Sequence, residues 1–379
     1  MTNFIIGVGI VFVIVILFMI FRVQSLISVV RDSSQKRAGL SNKVNAALFP
    51  IFLVIGGIAM VWSAMEASKD FLPEASSKHG IETDYLFWVT MAVIGFAFIL
   101  THILLFFFPF QFQYKENRKA SFQFHSTILE VIWTGIPAIV MTGLIIGGLF
   151  VWNDITSEAP KNSEVIEIMG KQFAWQVRYP GKEDKILGAH NFKLIDAANE
   201  FGIDLRDEHS FDDFVSTTEI HIPKGRPVLL KIRARDVLHS VFIPHMRVKM
   251  DAVPGMPTRF WFEATKSTAD MRTELGDPGF NYEIACTEIC GRGHFGMRLT
   301  LVVDEEEDYQ KWYAAQKPWL QTNREYLSKV PENLKEKALK IIGPEDQPTK
   351  TESTDKGEKD NVKQDEEKKD GKKVALNNK

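Results

Sequence analysis

The chain has 379 residues, 45% hydrophobic and 25% charged with a formal net charge of -3, and at roughly 150 residues per domain it should form two or three structural units. Residues 1–153 hold 10 Lys/Arg and 8 Asp/Glu against 35 and 40 in residues 154–379, so the first part excludes a wholly soluble protein and the second a polytopic transporter. A balanced charge with no isolated basic cluster excludes nucleic acid as a partner, and two cysteines exclude a disulfide scaffold.

A helix needs about 20 mainly apolar residues to cross roughly 30 Å of hydrocarbon, and four uncharged runs qualify: residues 4–21, 44–65, 85–114 and 131–153. No positive residue precedes the first run and no small-residue cleavage site follows it, so it reads as a span in contact with lipid, not a cleaved leader. Arg22, Arg31, Lys36, Arg37 and Lys43 follow the first run and Lys115, Arg118 and Lys119 the third, while only Lys69 and Lys78 follow the second. The basic loops belong in the cytoplasm, which puts both ends of the chain outside it; the expected setting is a bacterial inner membrane with the charged half in the periplasm. Glu130 stands at the cytoplasmic mouth of the fourth run. An ionisable group near lipid is a functional candidate, and an interfacial carboxylate facing water is the plainer reading. His102, inside the third run, reads as a polar group used in helix contacts.

From about residue 163 the pattern becomes short alternating segments rich in β-branched and aromatic residues, which indicates strands. They fall at 165–169, 172–179, 218–222, 228–232, 259–262, 282–285 and 298–303. Seven short strands argue for a β-sandwich or small barrel. Residues 180–214 are polar and mixed, a predicted surface insertion. Helical patterns follow at 305–316 and 324–342. From Gly343 onward 19 of 37 residues are charged, a composition that cannot bury enough surface to order itself, and it carries no CxxCH haem-attachment signature.

Both cysteines fall in one twelve-residue segment, Cys286-Thr-Glu-Ile-Cys290-Gly-Arg-Gly-His294-Phe-Gly-Met297. Thiolate and thioether are soft donors that, with imidazole, select copper over hard cations. Glycines 291, 293 and 296 let the loop curl so that the donors converge. Three readings compete. Copper uses every donor; zinc would take Cys286, Cys290, His294 and a distant histidine, leaving Met297 idle; a disulfide in an oxidising compartment leaves both His294 and Met297 unused. His239, in the apolar strand-like segment 236–244, is alone more often a core histidine than a ligand. Counted with the rest it gives two thiolates, two imidazoles and one thioether. That is too many for one tetrahedral ion and the right number for two coppers bridged by both sulfurs, with a backbone carbonyl near Glu288 opposite Met297.

This pattern resembles subunit II of haem-copper cytochrome c oxidases, through several motifs in order over roughly residues 85–320. The resemblance implies a cupredoxin-like β-barrel after a two-helix membrane hairpin, here the third and fourth runs, with the first two runs as a departure. Joined to the uncharged runs and the charged tail, the expected fold is a membrane α-helical segment of four predicted transmembrane helices plus an all-β cupredoxin-like barrel with a disordered C-terminal tail. The expected organisation is two additional N-terminal helices (1–84), a helical hairpin (85–154), a CuA domain (155–320), a C-terminal helix (321–342) and a charged tail (343–379). The implied copper ligands are His239, Cys286, Glu288 through its backbone carbonyl, Cys290, His294 and Met297; the Glu288 side chain would also serve a magnesium site shared with subunit I. Glu130, in the segment 130–137, looks like the glutamate at the mouth of a proton channel into subunit I. Lys249-Met-Asp251-Ala-Val-Pro254-Gly255 also fits the family pattern. Phe173 and Trp175 stand where electrons enter, and Asp236 matches an acid associated with docking basic cytochrome c. One departure is that the family's Gln-Trp-x-Trp patch here reads Gln172-Phe173-Ala174-Trp175, so the first ring lacks an indole N–H.

By the same resemblance the chain accepts electrons from cytochrome c, or from a cytochrome domain of a quinol-oxidising complex. It passes them to haem in subunit I, which performs oxygen reduction and proton pumping; subunit III is a further partner. The two extra helices are expected either to bind another membrane complex, forming a supercomplex, or to brace subunit I. The alternatives are a copper- or zinc-binding membrane protein without electron transfer, and a quinol oxidase subunit II, a group that typically lacks these copper ligands.

Overall fold

The computed structural model describes residues 2–31, 40–69 and 71–344. The segment beyond, for which disorder is expected, lies outside the described residues. The chain opens with four helices, α1 (Thr2–Arg31), α2 (Leu40–Ala67), α3 (Lys78–Gln111) and α4 (Thr127–Thr156). All four are long and apolar enough to cross a membrane, as expected from the uncharged runs. α2 lies along α3, with Phe49 and Phe52 against Phe106 at centroid separations of 6.1 and 5.4 Å.

Ten strands and four further α-helices follow among the described residues: β1 (Glu164–Lys171), β2 (Ala174–Tyr179), β3 (Phe214–Ser216), β4 (Glu219–Pro223), β5 (Pro227–Ala234), β6 (His239–Ile243), β7 (Val248–Ala252), β8 (Thr258–Glu263), α5 (Thr268–Leu275), β9 (Tyr282–Cys286), β10 (Arg298–Asp304), α6 (Glu306–Ala315), α7 (Trp319–Thr322) and α8 (Glu332–Ile342). The strands form two five-stranded sheets, ordered β3-β2-β1-β5-β8 and β4-β10-β9-β6-β7. Pairing is antiparallel except for β1 with β5 and β4 with β10. Alternation along the strands turns Ile166, Ile168, Val177, Ile220, Ile222, Leu230, Ile232, Val241 and Ile284 into one core between the sheets. The predicted strand at 172–179 starts two residues late, because Gln172 and Phe173 make the turn of the β1–β2 hairpin. The predicted helix at 324–342 is divided: a 3-10 turn spans Arg324–Lys329, and α8 begins after Pro331, whose ring disfavours helical geometry in the residue before it.

The insertion at 180–214 is more than surface. Its Phe201, Ile203, Leu205 and Phe211 form a second core with Trp319, Leu320, Tyr326 and Ile342. Arg178, fully buried, joins it to the sheet by donating to Glu167 (2.6 Å), to Asp213 (3.1 Å) and to the Gly188 carbonyl (2.8 Å). Burial opposes charge on both carboxyls. At Glu167 the guanidinium groups of Arg178 and Arg233 override it and hold the pKa below the usual range; at Asp213 burial prevails and pushes the pKa up to about 8.

α3 has 34 residues, about 51 Å at 1.5 Å per residue, more than hydrocarbon requires, and its first turn is built into the β domain. Ser76 and Ser77 are fully buried. The Ser77 hydroxyl donates to the Met246 carbonyl at 2.7 Å and caps α3 by accepting from the Gly80 N–H at 3.0 Å. Ser76 donates its N–H to the His245 carbonyl and accepts from that of Thr265, at 2.6 and 2.8 Å. Arg247 holds Asp84 through two hydrogen bonds of 2.7 and 2.8 Å. His79 lies edge-on to Trp261 at 4.3 Å and bonds to Asp154 near the end of α4 at 3.1 Å. The sandwich is thus fixed to both α3 and α4.

Candidate metal centre

The β9–β10 connection starts where Cys286 ends its strand. Cys286 still belongs to the ladder, paired with Val241 of β6, and His239 is the first residue of β6. After Cys286 the chain leaves the sheet, passes Gly291 at φ +135°, makes a 3-10 turn over His294–Gly296 and returns at Met297. The Cys286 N–H donates to the Met297 carbonyl at 3.1 Å and closes the loop. Such a φ is open to glycine and strained for other residues.

All six expected ligand groups converge here. The two cysteines are free, with their Sγ atoms 3.9 Å apart; this pair is not the disulfide that the sequence left open. His239 Nδ1 lies 3.9 Å from Cys286 Sγ, and His294 Nδ1 lies 3.7 Å from Cys290 Sγ. Met297 Sδ is 3.9 Å from Cys290 Sγ, and the Glu288 carbonyl oxygen is 3.2 Å from Cys286 Sγ. Ligand atoms of His239, Cys286 and Cys290 all fall within 4.8 Å of one another. His239, Cys286, Cys290 and Met297 are buried, His294 is half-buried, and the Glu288 side chain is exposed.

These separations suit shared ions. Metal–sulfur and metal–nitrogen bonds of about 2.3 and 2.0 Å put a thiolate and an imidazole of one ion roughly 4 Å apart. Soft donors in this number fit copper. Burial, with the neighbouring Cys286 thiol adding to it, pushes the Cys290 thiol up to about 11. In the bare protein this thiol therefore keeps its proton at neutral pH, and metal binding must displace it.

A layer of residues around the donors holds them in place. Asp236 Oδ1 accepts from His239 Nε2 at 2.8 Å and from the Val237 N–H at 2.7 Å, while Oδ2 accepts from the Gln172 N–H at 2.7 Å. Partial burial works against its charge, but these donors prevail and keep the pKa below the usual carboxylate range. With Nε2 committed to Asp236, Nδ1 is the nitrogen turned to sulfur. Trp175, fully buried, lies edge-on to His239 at 5.9 Å. Phe173 is 40% exposed and sits over the ligand loop: a Cβ on Gly293 would fall 2.6 Å from its Cγ, and one on Gly291 2.9 Å from its Cε1. Gln172 donates its Nε2–H to the Cys290 carbonyl at 2.6 Å. That contact was not foreseen, and a hairpin turn falling on Gln172 was the signal available for it. Glu130 is elsewhere, in the first turn of α4, with His125 Nδ1 at 2.9 Å from its carboxylate.

Fold and donor set together define a membrane-anchored β-sandwich with a cluster of soft, sulfur-rich donors that could hold metal in a loop at its edge. Two family descriptions match: "Cytochrome C oxidase subunit II, periplasmic domain" over residues 164–304 and "Cytochrome C oxidase subunit II, transmembrane domain" over residues 60–149. An alternative cytochrome c oxidase subunit 2 of Bradyrhizobium diazoefficiens is 33% identical over 233 residues, covering 61% of this chain and 77% of the relative. A cytochrome c oxidase subunit 2 of Synechocystis is 26% identical, covering 71% and 82% respectively. The solved periplasmic domain of subunit II of the cytochrome oxidase of Bradyrhizobium japonicum is 22% identical, with 41% of this chain and 95% of that one covered and a TM-score of 0.27. The chain belongs to the cytochrome c oxidase subunit II family, as a membrane protein with a cupredoxin-like domain.

Proposed function

We propose that this chain receives electrons from a cytochrome c donor at a binuclear copper centre and delivers them to haem in subunit I, in a bacterial inner membrane with the β domain in the periplasm. One observation carries the reading: two free, buried sulfurs stand 3.9 Å apart, each faced by the Nδ1 of a different imidazole. His239, Cys286, Cys290, His294 and Met297 would hold the ions through side chains and Glu288 through its carbonyl. When bound, the copper would supply a one-electron carrier.

The chain's own residues do the rest. Asp236 orients His239, and its carboxylate, one-third exposed, offers negative charge to a basic donor. Phe173 at the surface and Trp175 beneath it form the aromatic path by which electrons enter. Met297, its Sδ 3.9 Å from Cys290 Sγ, would offer the ions a weak thioether donor that tunes their potential. Glu288 would offer its exposed carboxylate to a magnesium ion that takes its remaining oxygen ligands from subunit I. Glu130 with His125 is assigned to the mouth of the proton path, at the opposite end of α4 from the sandwich. Subunit III, and a donor complex reached through α1 and α2, complete the assembly.

The test is an electron paramagnetic resonance and visible spectrum of the intact chain purified with copper. One unpaired spin shared by two copper nuclei is the expected signal. A pattern from a single copper nucleus, or zinc occupying the site of the native protein, would overturn the reading.

A further inference from the structure

We propose that Gln172, at the tip of the β1–β2 hairpin, is a positioning residue that ties together the two chain segments bearing the metal donors and sets the orientation of the Cys290 thiolate. The inference rests on the copper reading above. His239 belongs to β6, whereas Cys290 lies in the β9–β10 loop, four residues past the last residue held by the sheet. Gln172 reaches both. Its side chain donates to the Cys290 carbonyl at 2.6 Å, and its backbone N–H donates to Asp236 Oδ2 at 2.7 Å, the same carboxylate that holds His239 Nε2 at 2.8 Å. The result is one continuous relay, His239–Asp236–Gln172–Cys290, running across the site through a strand turn that supplies no donor of its own.

The local fit shows why this residue can reach so far. Gly291 and Gly293 leave the room in which the hairpin tip sits: a Cβ on Gly291 would stand 3.0 Å from Gln172 Nε2 and 2.9 Å from the Phe173 ring, and one on Gly293 2.6 Å from that ring. A hydrogen bond into the Cys290 carbonyl fixes the plane of the following peptide and hence the direction of the Cα–Cβ bond that carries the sulfur. The amide is neutral, so it does this without changing the charge of the site. Outer hydrogen-bond partners of metal ligands typically contribute 10–100-fold to metal affinity or activity.

The experiment uses the full-length, copper-loaded chain in detergent. Gln172→Met keeps the length of the side chain and removes its donors. Copper should still bind, with altered hyperfine splitting and with release to a chelator faster by roughly tenfold or more. Gln172→Lys, which can again donate to the carbonyl, should bring the release rate back toward wild type. A Gln172→Met protein with the wild-type spectrum and release rate overturns the proposal, whatever its fold stability. Should that variant not fold, Gln172→Glu, which matches glutamine in shape but has no donor when ionised, faces the same two outcomes. A wild-type chain without the two-copper signal would overturn the copper reading and this inference with it; a normal wild-type signal beside unchanged variants overturns this inference alone.

Discussion

His239 uses one ring nitrogen for the sulfur side of the site and the other for its support, and this division organises the chemistry around it. Met297 sits at the far side of the cluster, nearest Cys290. A thioether there adjusts a copper centre more than it retains it, so Met297→Leu should keep copper bound while shifting its reduction potential, read by spectroelectrochemical titration. Complete copper loss in that variant would contradict the assigned role. A second histidine, away from the metal site, adds to the pH dependence of the sandwich in the same direction as the raised Asp213 carboxyl. His221 lies flat on Trp312 at 4.2 Å. Its Nδ1 meets Asp304 at 2.6 Å and its Nε2 lies 3.1 Å from Glu219, the latter a charge contact without hydrogen-bond alignment. Burial disfavours its positive form, but the two carboxylates outweigh this and raise the pKa above the ordinary histidine value. A pKa raised by folding stabilises the fold fully below the unfolded value near 6.5, and that contribution is lost as pH rises through the folded pKa. Denaturant unfolding should therefore show stability falling as pH rises above the ordinary histidine value of 6.5, and His221→Gln should flatten that slope; equal slopes in both proteins would refute the linkage.

The joint between α3 and the sandwich depends on Arg247. Its backbone is left-handed at φ 53°, and its guanidinium serves Asp84, the Pro244 carbonyl and the Pro73 carbonyl together. Arg247→Ala leaves those acceptors unpaired at a part-buried site and should cost about 1–3 kcal/mol. The loss should appear as protease sensitivity in the 71–77 segment, with the metal spectrum unchanged. Part of this architecture could be read beforehand. Uncharged runs give the four helices because lipid tolerates few charges, and alternating Val, Ile and Phe give most strands because a half-buried strand repeats every two residues. α5 escaped notice although Ser267 and Asp270 form a capping box before it and Gly276 ends it, since eight mostly polar residues carry little apolar periodicity. β3 escaped because three residues show no period at all. The convergence of the candidate donors was legible because five of the six expected positions crowd into twelve residues. Gln172 was not, because its partners are 64 and 118 residues away, and only folding brings them near.

Taken whole, the molecule has two helices, α1 and α2, ahead of the pair that leads into the sandwich. α2 touches α3 through Phe49 and Phe52, and the described apolar side chains of α1 are exposed over most of its length. An apolar helix surface in a bilayer is where another membrane protein can seat. Removing residues 1–67, which spares the buried Ser76–His79 segment, should leave the copper spectrum intact and reduce the amount of donor complex that co-purifies with the oxidase. Unchanged co-purification and unchanged donor kinetics would show that these helices do not recruit the donor. The first turn of α3 carries a different consequence. Because a bilayer-crossing rod is also part of the sandwich, the domain cannot swivel above the lipid as it would on a slack tether. Its height and heading over the bilayer are inherited from the rods beneath it. On the proposed function, an acceptor embedded alongside would meet a gap of constant width at every turnover, and any search for the right pose would fall to the incoming donor.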